Sequence, residues 1–380
     1  MRYESIAIHG GKSDDSGKDA VNYPIYLSST FAQPNLDQFQ EFAYSRGGNP
    51  TRSNVEKLAA DLEGAKYGLA LASGMAATSL VFGLLKQGDK VLINNNVYGG
   101  TWRYVSNIFA DHGIEYEVVN DFNHYDFNDA ALNVKMIFIE TPSNPLLEIT
   151  DIRRVANEAK KRNILTVVDN TFLTSYFQKP LDLGADIVVY SATKYYAGHS
   201  DILAGLVLLN DDEHFTKLKF LQNTYGGILS PIDSFLLTRG IKTLSLRLAK
   251  HQKNALLVAQ YFEKHPAVKN VYYPGLTSHK NYAIQRSQAT GDGGVLSIRL
   301  NDGWDSKKFI ANLNMFDLAV SLGGVESLIC HPASMTHESY AQELQKKIGI
   351  DSKLLRLAIG VEHEEDILED ISNALEKAKK

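Results

Sequence analysis

The chain has 380 residues, enough for two or three domains and for a substantial core without disulfide staples. Hydrophobic residues at 44% and charged residues at 22% exclude a disordered chain and a membrane bundle; 39 basic against 44 acidic residues leave a net charge of −5 and no electrostatic footprint for nucleic acid. The single cysteine, Cys330, excludes an intramolecular disulfide and a cysteine-built metal cluster, so a reducing, cytoplasmic setting is expected.

The N-terminus has no apolar signal region. Residues 1–52 read as irregular and extended, because Pro24, Pro34, Pro50 and Gly47-Gly48 interrupt any periodicity. Tyr23-Pro-Ile-Tyr26 and Phe31 are too apolar for a solvated tail, so this arm is expected to lie across something else, such as a neighbouring subunit. Gly11-Lys12-Ser13 resembles the end of a phosphate-binding loop, but Ile6 stands where its first glycine belongs.

From residue 53 helical and strand patterns alternate. Helices are expected over 54–62, 75–85, 101–112 and 152–162, and strands over 68–72, 90–94, 115–119, 135–140, 165–169, 186–190 and 203–209. The uncharged stretch 67–85 reads as a buried strand, a tight loop and a buried helix rather than a membrane span. The runs KMIFIE, LTVVD and DIVVY are continuous rather than alternating, which indicates strands covered on both faces of a mostly parallel sheet. Ligands of such sheets bind outside the carboxyl ends of the strands. A long helix is expected over 234–263, with Arg239, Lys242, Arg247 and Lys250 as solvated positions. Strands over 268–273, 294–300 and 355–359 and helices over 307–313 and 365–378 then form a smaller α+β unit. The expected organisation is an arm (1–52), an α/β domain (53–248) and a C-terminal domain (249–380).

Several motifs fail. Gly291-Asp-Gly-Gly294 has Leu296 where a dinucleotide fingerprint needs its last glycine, and Gly198-His-Ser-Asp201 has Ile202 where a nucleophile elbow needs one. There is no H-E-x-x-H. A nicotinamide dehydrogenase, the alternative for an α/β chain of this size, lacks its glycine signature.

Four features at strand ends survive. Ser73-Gly74-Met75 offers backbone N–H groups to an anion at a helix start. Asp169 ends LTVVD, where a carboxylate can hold a pyridinium nitrogen protonated. Ser191-Ala-Thr193-Lys194 follows DIVVY, where desolvation favours an imine-forming lysine and two hydroxyls can face a phosphate. Tyr98 follows KVLIN and could stack on a flat ring. Each has a plainer reading alone: an N-cap turn, an Asx turn, a solvated lysine, a buried tyrosine. Together they describe a pyridoxal phosphate site.

The chain also resembles the pyridoxal-phosphate-dependent transsulfuration enzymes, which include cystathionine γ-lyase, β-lyase and γ-synthase and methionine γ-lyase. The resemblance runs nearly end to end through YSRGGNPTR (44–52), SGMAA (73–77), VYGGT (97–101), ETPSNP (140–145), VVDNTF (167–172), SATKYYAGHSD (191–201), SLGGVESL (321–328), HPASMTH (331–337) and LLRLAIGVE (354–362). It implies the aspartate-aminotransferase-like fold type I and a homotetramer of dimers. By the same resemblance Lys194 forms the Schiff base and moves protons, Asp169 pairs with the pyridine nitrogen, and Tyr98 stacks on the ring. Gly74, Met75, Ser191 and Thr193 would hold the phosphate, joined by Tyr44 and Arg46 from the neighbouring subunit. Asn144 would lie by the phenolic oxygen, and Arg356, Ser321 and Asn144 would bind the substrate's α-carboxylate. Tyr98 or Tyr44 would protonate the leaving sulfur. Arg356 is the only charge in the run LLRLAIG, which itself argues for an inward, paired position.

Within the family the sequence points in several directions. Many γ-lyases carry an acid before YSR and before SLGG, where this chain has Ala43 and Val320, as in methionine γ-lyases. Those enzymes carry a cysteine in the turn where this chain has Gly100. Enteric β-lyases depart from YSR and NPT, and this chain keeps both. The pattern resembles bacterial cystathionine γ-lyases most, which implies γ-elimination of L-cystathionine to cysteine, 2-oxobutyrate and ammonia. The alternatives are a β-lyase, a γ-synthase, and a methionine or homocysteine γ-lyase.

Overall fold

A computed structural model describes residues 1–11, 20–338 and 340–380. Lys12 and Ser13 of the rejected phosphate-loop reading, and part of the expected arm, lie outside the described residues.

The larger sheet has seven strands: β1 (Tyr67–Leu71), β2 (Lys90–Asn94), β3 (Glu115–Val119), β4 (Val134–Glu140), β5 (Leu165–Asp169), β6 (Ile187–Ser191) and β7 (Gly205–Leu209). Their order is β1-β7-β6-β5-β4-β2-β3. The run from β6 through β3 is parallel, while β7 is antiparallel to both its neighbours. Ile137, Phe138 and Ile139 of β4 and Val167 and Val168 of β5 are wholly buried, as continuous apolar runs require. The helices Pro50–Glu63, Gly74–Phe82 and Ile152–Lys160 contact the sheet. Their starts are encoded locally: Asn49, Ser73 and Asp151 each accept hydrogen bonds from first-turn amides.

The smaller sheet has five strands: β8 (Val268–Tyr272), β9 (Val295–Leu300), β10 (Phe316–Leu318), β11 (Ser327–Cys330) and β12 (Leu354–Ala358). Their order is β10-β11-β12-β9-β8, antiparallel except for β10 with β11. The helices Leu244–Lys264 and Glu364–Lys377 pack over it, burying Phe262, Phe309, Ile371 and Leu375.

The structure differs from the sequence expectation in definite places. The single helix expected over 234–263 is two, Pro231–Ile241 and Leu244–Lys264. A Cβ on Gly240 would lie 2.3 Å from the Ala197 carbonyl, so the first helix presses against the segment after Lys194. Arg247 is not solvated: it is 6% exposed. Its guanidinium donates to the Tyr195 and Gly240 carbonyls (both 2.7 Å) and to Thr243 Oγ1 (3.1 Å). The helix break supplies the Gly240 and Thr243 acceptors, and the segment after Lys194 supplies the third. A helix Tyr3–His9 stands in the segment expected to be irregular, tied by the Tyr3–Ser175 hydroxyl contact at 3.0 Å. Among the described residues no helix is long and apolar enough to cross a membrane, and no acidic, histidine and cysteine cluster suits a metal.

Candidate active site

The carboxyl ends of β2, β4, β5 and β6 face the loop before β11 and the middle of β12, enclosing a cavity of about 320 Å³. Ten of the twelve residues singled out in the sequence line it; Tyr44 and Arg46 do not. Arg46 is exposed, bonds Asn223 Oδ1 at 3.2 Å, and lies 5.2 Å from the centre of the Tyr44 ring.

One end of the cavity is an anion hollow. Ser73 caps the helix Gly74–Phe82 by accepting from the Ala76 amide at 3.1 Å. The Gly74 and Met75 amides lie in the first turn, beyond the reach of a helical acceptor. Ser191 stands opposite, so close that a Cβ on Gly74 would lie 2.7 Å from its Cβ. A helix start and a hydroxyl suit a phosphate. The Thr193 hydroxyl, expected to face the same anion, is committed to Ala204, accepting from its amide (2.9 Å) and donating to its carbonyl (3.2 Å).

Asp169 Oδ1 accepts from the Thr171 amide (3.0 Å) and hydroxyl (2.6 Å). Among the described residues Oδ2 accepts no hydrogen bond. Burial raises this carboxyl above its ordinary range, and the Thr171 bonds only partly oppose it. A cationic N–H in the cavity would relieve that cost.

Lys194 Nζ donates to Ser321 Oγ at 2.7 Å. Burial, and then the Arg356 charge, push its ammonium down to about 8. Ser321 has φ +89°, a left-handed conformation costly for serine. That strain turns its carbonyl to Arg356 Nη2 (2.6 Å), while Arg356 Nη1 donates to Asn144 Oδ1 (3.0 Å). Arg356 sits on the central strand of its sheet, 4% exposed, with Nε unsatisfied. Two of five N–H donors are used, so the fork retains capacity for a carboxylate.

Tyr98 stands at the mouth, and a Cβ on Gly100 would lie 2.6 Å from its ring and from Met75 Sδ. Leu203 and Val320, both exposed, complete the rim. Glu140, which ends the run KMIFIE and opens ETPSNP, carries no role in the sequence reading. It lines the cavity beside Asp169, and its signal was an acid closing the apolar run KMIFIE. Burial, and next the Asp169 charge, raise its carboxyl well above the ordinary range.

Residues 4–376 match the family described as Cys/Met metabolism PLP-dependent enzyme. The chain belongs to that family. A cystathionine β-lyase of Lactococcus lactis subsp. cremoris is 49% identical over 97% of this chain and 98% of its own length. A cystathionine γ-lyase of Bacillus subtilis (strain 168) is 46% identical over 99% of this chain and 100% of its own. Among solved structures, the cystathionine γ-synthase of Xanthomonas oryzae pv. oryzae in complex with cystathionine superposes with a TM-score of 0.96. It is 41% identical and covers 99% of this chain and 98% of that one. The fold is therefore that of the fold type I PLP enzymes, and the cofactor of this Cys/Met enzyme is pyridoxal phosphate. The cavity fits it: an anion hollow, a carboxylate oxygen of Asp169 that accepts no hydrogen bond among the described residues, and a lysine whose ammonium is pushed down to about 8 meet in one space.

Proposed function

We propose that this chain is a carbon–sulfur lyase that cleaves L-cystathionine by γ-elimination, taking up one water and releasing cysteine, 2-oxobutyrate and ammonia. The observation that carries the reading is the state of Lys194: a single hydrogen bond, to a hydroxyl, and an ammonium pushed down to about 8. γ-Elimination needs protons moved at Cα and then at Cβ. A base poised near neutrality and lightly tethered can serve both positions. When bound, pyridoxal phosphate supplies the electron sink that makes those hydrogens acidic.

The other residues take supporting roles. Asp169 would keep the ring nitrogen protonated, Tyr98 would cover the ring, and Asn144 would lie by its phenolic oxygen. Gly74, Met75 and Ser191 would hold the phosphate, while Thr193, bonded to Ala204 through both hydroxyl and amide, would brace the turn behind it. Arg356, with Asn144 and Ser321, would fix the substrate's α-carboxylate, a geometry suited to a guanidinium fork. Tyr98 or Tyr44 would protonate the leaving sulfur. Tyr44 and Arg46, exposed and outside their own cavity, would complete the site of a neighbouring subunit, which requires at least a dimer and fits a homotetramer.

A second reading is β-elimination to pyruvate and homocysteine, favoured by the 49% identity to a protein named cystathionine β-lyase. Incubation of the pure protein with L,L-cystathionine separates the two. 2-Oxobutyrate with cysteine supports γ-elimination; pyruvate with homocysteine replaces it. No keto acid from cystathionine would redirect the reading to a γ-synthase, tested with an O-acylhomoserine and cysteine, or to a methionine γ-lyase, tested with methionine.

A further inference from the structure

Glu140 closes β4 at the carboxyl edge of the sheet, paired across the ladder with Asp169. It is 4% exposed, and among the described residues no cation forms a salt bridge with it. Acidic side chains are rarely buried without such a partner. Its two oxygens do two different things. Oε2 accepts from the Tyr98 amide at 2.7 Å, and Oε1 accepts from the Asn144 amide at 3.0 Å. Its main chain is fixed in turn by Asn94, whose side chain donates to the Glu140 carbonyl (2.9 Å) and accepts from its amide (3.0 Å). Tyr98 carries the ring at one wall of the cavity. Asn144 carries the oxygen that receives Arg356 at another.

We propose that Glu140 is a positioning residue that locks the Tyr98 turn and the Asn144–Arg356 pair into one register, so that the stacking ring and the bound α-carboxylate are held at a fixed spacing. The chemistry selects glutamate. Burial and the Asp169 charge raise this carboxyl, but the Tyr98 and Asn144 amides favour its ionised form. That form offers two acceptor oxygens and no donor, whereas glutamine must turn its NH2 against one of the two amides. Aspartate, one methylene shorter, reaches one amide at most from a main chain that Asn94 holds still. Preorganisation of this kind acts through the residues positioned, not through contact with substrate.

The inference rests on the roles proposed above for Tyr98, Asn144 and Arg356. Failure of that reading shows in the wild type alone, as absence of bound cofactor or of any amino acid turned over. The test compares holoenzymes: wild type, Glu140→Gln, Glu140→Asp, Tyr98→Ala, Asn144→Ala and the two double variants that combine Glu140→Gln with each alanine change. The visible circular dichroism per bound pyridoxal phosphate reads ring orientation. KM for an amino acid that the wild type consumes reads the carboxylate clamp. Glu140→Gln should at least halve the dichroism and raise KM about tenfold, and Glu140→Asp should not restore either. Each double variant should differ less than about twofold from Tyr98→Ala in dichroism and from Asn144→Ala in KM, because coupled residues are not additive. Unchanged dichroism and KM in Glu140→Gln, or effects that multiply in full in both double variants, would overturn the proposal. If Glu140→Gln is insoluble, hydrogen exchange of the wild type decides. Slow exchange at the Tyr98 and Asn144 amides supports the two bonds; exchange at open-loop rates removes them.

Discussion

Lys194 is a cation placed where a cation is costly. Its amine is enclosed, its one hydrogen-bond partner is a hydroxyl, and Arg356 adds a like charge. The folded value of about 8 lies below the ordinary 10.5. Between those pH values the unfolded chain holds a proton that the folded chain has released. Stability of the cofactor-free protein therefore rises with pH across this window and is lost as pH falls through about 8. Lys194→Met removes the titration. In thermal scans of cofactor-free protein, the variant should exceed the wild type by most below pH 8, and the gap should close towards pH 10. A gap independent of pH would mean that the amine is solvated. The legibility of single residues follows the same physics. Lys194, Asp169 and Arg356 stand out in sequence because a charge beside or inside a continuous apolar run needs a reason. Arg247 gave no such sign: in a helical stretch with charges at Arg239, Lys242 and Lys250 it reads as one more surface cation. Of its three acceptors, the Gly240 carbonyl and the Thr243 hydroxyl are presented where the helix breaks, and the Tyr195 carbonyl comes from the segment after β6, so none is visible in the local pattern. Glu140 is visible as the acid that closes KMIFIE, but its acceptance of two amides depends on chain reversals that no local pattern announces.

At the scale of elements, the cavity depends on how closely β7 and the helix Gly74–Phe82 approach. A Cβ on Gly205 would lie 2.1 Å from the Ser73 carbonyl oxygen and 2.7 Å from its carbon. Both atoms are backbone, so neither can rotate away, and Ser73 is the residue that caps the anion hollow. Gly205→Ala should cost about 1–3 kcal/mol as overpacking. It should also weaken pyridoxal phosphate binding roughly tenfold, since each such step is about 1.4 kcal/mol of lost fit. Thermal scans and a fluorescence titration measure the two effects; unchanged cofactor affinity would show that the hollow tolerates movement of the helix start. Elements buried on both faces were legible because their interiors are continuously apolar: β2 and β5 were expected at their observed bounds. The elements that escaped lack that signal. β10 has three residues, two of them exposed. The helix Asp212–Tyr225 buries only Leu218 and Gln222, so it shows no stripe, although Asp211 caps it by accepting from the His214 amide. The helix expected over 101–112 is present from Gly99 to Asp111 but passes through a π-helical turn at Tyr104–Ile108, which periodicity does not resolve.

At the scale of the whole molecule, the exposed apolar residues are not scattered evenly. Val21, Ile25, Leu27, Leu36, Phe39 and Tyr44 all lie between residues 20 and 46, a concentration of exposed apolar side chains in one segment that suits an interaction site. Arg52 is fully buried and donates to the Ser45 carbonyl (2.6 Å) and the Arg46 carbonyl (3.1 Å), so the end of the arm is fixed rather than trailing. A held segment with an apolar surface and an exposed arginine suits a second copy of the chain with a phosphate to bind. Hybrid oligomers test this. Lys194→Ala removes the amine of its own cavity, whereas Arg46→Ala should weaken cofactor binding in the partner's cavity only. In a mixed dimer both lesions then fall in one site and the other site is intact. Random association of equal amounts should return about a quarter of wild-type turnover per chain at limiting pyridoxal phosphate, because half the dimers are mixed and each has one intact site. Neither parent should approach that level under the same conditions. Recovery no greater than the average of the two parents would place Arg46 in service of its own chain, and the arm would then need a different partner.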